Sequence, residues 1–276
     1  MRERDSRRGS AAGWVRAASG VVAAGMAAAA WVGSLPLRAG AQAAAPAASG
    51  SAPGVFTVAT PEGPLRITAL GHASLMFQWN GRVIHVDPWS RVADYSSVPR
   101  ADQVWITHDH ADHLDLDALR AVVTPSTRLV VDGRSAQRLA EFGGRLTVLQ
   151  NWESTTVDGV RVDAVPAYNV VRERSPGVKY HPRGWYNGYV ATFGGKRIYI
   201  AGDTECIPEM GRLGRVDVAF LPINLPFTMP PEEAVGCIKV IAPRTVVPYH
   251  QGDSDPAVVA RALQNSGIEV LVFRLP

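Results

Sequence analysis

Within seven residues, Thr107-His108-Asp109-His110-Ala111-Asp112-His113 gathers imidazoles and carboxylates directly after an apolar run, Gln103 to Thr107. His108 and His110 are two apart, so an extended backbone sends both rings to the same side. Asp112 and His113 are expected to open a helix whose start turns them into the same volume. Nitrogen and hard oxygen donors in this pattern suit zinc and other first-row divalent ions. A solvated polar turn is the plain alternative, and it leaves unexplained why four donors fall within six residues. No Ser/His/Asp set with a G-x-S-x-G elbow occurs, so the chemistry on offer is that of a bound metal.

The elements that must hold this cluster show in the hydropathy pattern. Strands are expected at Leu65 to Leu70, Ser74 to Trp79 and Arg82 to Asp87, the last two joined by Asn80-Gly81, a pair suited to a tight hairpin. Helical spacing at Leu116, Leu119 and Val122/Val123 precedes a strand at Arg128 to Val131, a helix near 134–142 and a strand at 146–149. The second half gives strands at 154–157 and 160–165, then an aromatic, Pro/Gly-rich loop from Pro166 to Gly184. A hairpin of 187–193 and 196–201 follows, turning at Gly194-Gly195. Helices near 207–213, 231–241 and 256–265 then alternate with strands at 217–221, 245–249 and 268–273. Two packed sheets with helices on their outer faces bury this order best, so an α/β fold in one domain over 55–276 is expected.

At 276 residues, 46% hydrophobic and 19% charged, the chain is neither disordered nor a small disulfide-stapled scaffold. Its net charge of +3 arises at the start: residues 1–43 carry six arginines against Glu3 and Asp5, and the rest sums to −1. A nucleic-acid partner is therefore not expected. A basic stretch to Arg16, an Ala/Val-rich run from Ala17 to Gly33 and Ala41-Gln42-Ala43 follow the order of a signal peptide over 1–43. Residues 44–54 read as a flexible linker. Export to the periplasm or outside the cell is expected, with membrane attachment only through an uncleaved leader; Ser6-Arg7-Arg8 hints at twin-arginine export. Cys206 and Cys237 read as two buried small apolar side chains, a bridge being the alternative in an oxidising compartment.

The H-x-H-x-D-H run resembles the signature of the metallo-β-lactamase-fold hydrolases, and the resemblance extends over essentially all of 65–276. It implies a four-layer αββα sandwich of two mixed sheets. Ala201-Gly202-Asp203-Thr204 looks like the family's metal-bridging aspartate, and Pro248-Tyr249-His250 like its last histidine ligand. Gly71-His72-Ala73-Ser74 and Asp87-Pro88 resemble the branch of L-ascorbate-6-phosphate lactonase-like proteins and N-acylphosphatidylethanolamine phospholipase D enzymes. One position departs from the pattern: the strand from Val160 runs into Pro166-Ala167-Tyr168-Asn169, where the family usually has a histidine. His181, in the next loop, is open between metal ligand, substrate contact and surface residue, and Tyr168 between facing the site and packing elsewhere. His72 is read as orienting a ligand carboxylate or as a core histidine, His85 as structural, and Asp87 as supporting His113 or a neighbouring loop.

The implied ligands are His108, His110 and Asp203, with His181 as the candidate fourth, for one ion; Asp112, His113, His250 and Asp203 serve the other. One or two zinc ions are expected, with manganese or iron as alternatives. Asp112, His181 and Tyr168 are the candidate catalytic residues. Hydroxide from metal-bound water would cleave an ester, lactone or phosphodiester bond. Arg172, Arg174, Lys179 and Arg183, among Tyr168, Tyr180, Trp185 and Tyr186, would suit an anionic small molecule; a solvated loop is the alternative. A non-catalytic metal- or ligand-binding relative and a β-lactam hydrolase are the competing functions. Oligomeric state is not legible.

Overall fold

The computed structural model describes residues 53–275; the expected signal peptide and all but the last two residues of the expected linker lie outside them. The first sheet pairs seven strands in chain order: β1 (Gly54–Thr60), β2 (Gly63–Gly71), β3 (Ser74–Trp79), β4 (Arg82–Val86), β5 (Gln103–Trp105), β6 (Arg128–Val131) and β7 (Leu146–Val148). β1 to β4 run antiparallel, and β4 to β7 run parallel. Helices α1 (Leu116–Val122) and α2 (Gly133–Arg138) make the parallel crossovers.

The second half contributes β8 (Ser154–Val157), β9 (Val160–Ala167), the small hairpin β10 (Glu173–Ser175) and β11 (Val178–Lys179), β12 (Tyr186–Phe193), β13 (Lys196–Ile200), β14 (Val218–Pro222), β15 (Thr245–Tyr249) and β16 (Glu269–Val270). The second sheet runs β16-β15-β14-β13-β12-β9-β8, parallel from β16 to β13 and antiparallel beyond. Helices α3 (Pro231–Ile241) and α4 (Ala257–Ala262) accompany its parallel half.

Alternation along the strands creates the layers, because successive side chains leave a strand on opposite faces. Trp105 of β5 joins Phe77, Tyr189, Phe193 and Phe220 in a core between the sheets. Its neighbours Val104 and Ile106 pack with Leu119, Val122 and Leu139 beneath α1 and α2. Likewise Val218 and Phe220 of β14 face the first sheet, while Ala219 and Leu221 face Ala234 and Ile238 of α3. The result is the expected order of helices, sheet, sheet and helices.

Several expectations shift in detail. The segment near 207–213 is a 3-10 turn, Pro208–Arg212, and the helix expected to 142 ends at Arg138 before a second 3-10 turn, Ala140–Arg145. The strand expected at 268–273 pairs only over Glu269–Val270. Cys206 and Cys237, read as separate small side chains, instead form a disulfide with Cα atoms 5.5 Å apart. The segment after β13 that carries Cys206 lies against α3, which carries Cys237, a relation that sequence spacing does not contain.

Candidate metal centre

Parallel strands deliver their C-terminal ends to one edge of the sandwich, and the chemistry-bearing residues follow those ends. His108, His110, Asp112 and His113 come after β5, Asp203 after β13 and His250 after β15. Gly202 permits the approach of the two sheets: its φ is +64°, and a Cβ there would lie 3.0 Å from Asn187 O and 3.1 Å from Thr107 Cβ. His72, Asp87 and His250 also hold positive φ angles of 50°, 44° and 45°, a cost that the surrounding hydrogen bonds must offset.

Asp112 and His113 do not open a helix as expected. They occupy a turn in which His113 N and Leu114 N both donate to His110 O, at 3.1 and 2.8 Å. The helix begins three residues later because Asp115 caps it, accepting from Asp117 N at 2.9 Å and Ala118 N at 3.3 Å. The turn still aims Asp112 and His113 inward.

Two groups of donors result. Ligand atoms of His108, His110 and His181 lie within 4.8 Å of one another, and so do those of His72, Asp112, His113 and His250. Asp203 stands between the groups with one oxygen toward each. Its Oδ2 lies 3.3 Å from His181 Nε2 and 3.9 Å from His108 Nε2. Its Oδ1 lies 3.4 Å from His113 Nε2 and 3.3 Å from His250 Nε2.

Hydrogen bonds on the far side of each ring fix which nitrogen is free. His113 Nδ1–H donates to Asp87 Oδ2 at 2.8 Å. The Thr107 hydroxyl donates to the same carboxylate at 2.7 Å, so its lone pairs accept from His108 Nδ1–H at 3.0 Å. His181 Nδ1–H donates to Asn169 Oδ1 at 2.8 Å. Asn224 Nδ2 meets His250 Nδ1 at 3.2 Å, which leaves His250 Nε2 facing inward. The Nε2 atom of each ring faces the interior, the arrangement typical of ligating histidines; against burial, Asp203 and Asp112 raise His113 above the ordinary histidine value and His250 to about 10, holding protons that a bound cation would displace. His108 Nε2, His113 Nε2, His250 Nε2 and Asp203 Oδ1 are buried without a hydrogen-bond partner. Such orphaned atoms are costly unless something else satisfies them. Donor types, inward-facing ring nitrogens and burial together fit divalent cations.

Electrostatics point the same way. Burial works against the charge on Asp203, but His250 and His113 beside it outweigh that and hold the carboxyl well below its usual range. Asp112 is likewise held low against burial, by His113 and by the imidazoles of His250 and His72 beside it. Burial, helped by neighbouring imidazoles, keeps His108 and His110 below the ordinary histidine value and therefore neutral.

His181, whose role the sequence left open, reaches the first group across the loop: its Nε2 lies 3.2 Å from His110 Nδ1. Asn169 holds it there, accepting from both His181 N (2.7 Å) and Nδ1. Asn169 sits near the place where the sequence lacks a histidine, and nothing in an isolated asparagine signals this. Glu205 in turn accepts from Asn169 Nδ2 at 3.1 Å and from the amides of Val170, Val171 and Arg172 at 3.1, 2.8 and 2.7 Å, pinning the loop that begins there.

Tyr168, named above as a candidate catalytic residue, is turned away. Its hydroxyl donates to Glu209 Oε2 at 2.9 Å, and its ring packs with Ile207 and Met210 just past the end of β9. His72 contacts Asp112 Oδ2 at 3.0 Å and packs against His250 with ring centroids 3.8 Å apart, matching its expected part in orienting a carboxylate. His85 is structural, bonded to Pro99 O at 3.0 Å. Three of the four loop cations are engaged by acidic neighbours, Arg172 with Glu233 at 2.8 Å, Lys179 with Glu173 at 3.1 Å and Arg183 with Glu209 at 2.6 Å, while Arg174 is exposed.

Comparison with known proteins places this geometry. A family model described as a beta-lactamase superfamily domain matches residues 66–250. A UPF0173 metal-dependent hydrolase of Thermococcus kodakarensis is 31% identical over 201 residues, covering 70% of this chain and 87% of its own. A solved structure assigned as a metal-dependent hydrolase, from Parabacteroides distasonis, is 40% identical with a TM-score of 0.76, covering 82% of this chain and all of that one. A metallo hydrolase from Ignicoccus hospitalis is 25% identical, with a TM-score of 0.62, covering 76% of this chain and 95% of that one.

Proposed function

The chain belongs to the β-lactamase superfamily of metal-dependent hydrolases, and from that premise we propose that it is an exported two-ion hydrolase of ester, lactone or phosphodiester bonds. The observation that carries this reading is the Asp203 carboxylate, with one oxygen facing His108 and His181 and the other facing His113 and His250. Divalent ions held by these groups supply Lewis acidity and bring the ionisation of water toward neutral pH. The chain's own part is to position: Thr107 and Asp87 set the rings of His108 and His113, Asn169 sets His181, and Asn224 sets His250. Asp112, held by His72, is the carboxylate best placed to orient the attacking water or take up its proton.

The histidine-rich donor set favours zinc, with manganese or iron as the competing metals. The non-catalytic alternative drew on a missing histidine, and His181 supplies an imidazole at that centre. The motifs around His72 and Asp87 support placing the chain beside the lactonase and phospholipase branch. Export is supported by the leader and by the Cys206–Cys237 bridge, which an oxidising compartment sustains.

Chelator-stripped protein titrated with zinc or manganese should take up two ions and recover turnover of an ester, lactone or phosphodiester. Tight metal binding without turnover of these substrates or of a β-lactam would leave only the binding-protein reading.

A further inference from the structure

Six of the eleven large apolar side chains exposed among the described residues, Val170, Val171, Val178, Trp185, Leu225 and Phe227, lie in the two loops that border the metal centre, at 38 to 72% exposure. Val170 follows Asn169, which holds His181, and Leu225 follows Asn224, which meets His250. The loops are joined: Asn169 Nδ2 donates to Phe227 O at 2.8 Å, and Tyr180 meets the Phe227 ring edge-on at 5.1 Å. An apolar patch bordering a polar centre marks a binding surface. Arg172, Lys179 and Arg183 on the same loop are held by Glu233, Glu173 and Glu209, with Arg174 exposed beside them, so the wall meets a ligand as a mainly apolar surface.

We infer that the site takes a neutral ester or lactone whose apolar acyl chain lies along the lip formed by Val170, Val171, Leu225 and Phe227. This rests on the hydrolase reading above and narrows it, favouring a carboxylic substrate over a phosphodiester. Attack at the carbonyl would leave the acyl chain on the lip and release the alcohol, or open the ring, with one water consumed.

The test uses zinc-loaded full-length protein and a series of alkyl hydroxamates from acetyl to octanoyl, titrated calorimetrically, with p-nitrophenyl esters of the same chain lengths assayed below aggregation. Affinity should rise about twofold per added methylene, a partial share of the gain from full burial. Val171→Ser combined with Phe227→Ser should flatten that slope, while Val240→Ser, on the outer face of α3, should keep it. A flat slope in the unaltered protein, a steep slope surviving in the double variant, or no hydroxamate binding overturns the inference; a flat slope is also the result if another protein or a membrane covers the lip. The two readings fail separately. Metal-dependent ester turnover with no chain-length dependence removes the lip and leaves the hydrolase, whereas chain-length-dependent binding without turnover removes the hydrolase and leaves the lip.

Discussion

At the residue scale, Asn169 does the work that a differently placed histidine would make unnecessary: it accepts two hydrogen bonds from His181 and brings that ring to His110 and Asp203. His181→Ala should therefore reduce bound zinc from two ions to one per chain, and Asn169→Ala should weaken the same ion while retaining the other, both measured by metal analysis after dialysis. Retention of two tight ions in His181→Ala would place His181 outside the centre. The H-x-H-x-D-H run was legible because its donors are contiguous, but His181 was left open because its ring is set by an amide twelve residues away. Tyr168 was misjudged for a related reason: the pattern shows that an aromatic is present but not which way its ring turns past the end of β9. His85 gives a pH-dependent prediction independent of the metal. Burial lowers its pKa below the ordinary 6.5, partly opposed by Pro99 O, so it stays neutral in the folded chain. Below about 6.5 the unfolded chain gains a proton that the folded one resists, so stability falls as pH drops and is unaffected by this residue at higher pH. Denaturant unfolding of chelated protein at pH 8 and 5.5 should show a smaller acid loss in His85→Gln than in the unaltered chain; equal losses would contradict this.

At the scale of elements, period-2 alternation made the central strands legible, since Val104, Trp105 and Ile106 must face alternate layers. The short hairpin β10–β11 was not, because its residues are mostly exposed and no buried face imposes a pattern. The segment near 207–213, read as a helix, is a 3-10 turn of only five residues, Pro208–Arg212, with the proline in its first turn. The disulfide joins the segment after Asp203 to α3, closing a separation of 31 residues. Replacing both Cys206 and Cys237 by serine should lower unfolding free energy by about 2–4 kcal/mol in denaturant titrations. A change within error would show that packing of α3 against Ala219 and Leu221 already holds that segment.

For the molecule as a whole, two sheets of opposite chain halves meet so that parallel strands from both end at the same edge. β5 brings the contiguous cluster from one half; β13 and β15 bring Asp203 and His250 from the other. The layered fold follows from the order of hairpins and helix-strand alternation, whereas convergence of residues 108 to 250 depends on register between sheets, which a single sequence does not display. No helix among the described residues is long and apolar enough to cross a membrane. The central claim is that Asp203 lies between two cations, one on the His108–His110–His181 side and one on the Asp112–His113–His250 side. An anomalous-scattering map of crystals grown from protein carrying its native metal tests this most directly. Two peaks, one on each side of the Asp203 carboxylate, are the expected result; a single peak remote from Asp203, or metal bound only outside these side chains, would contradict it.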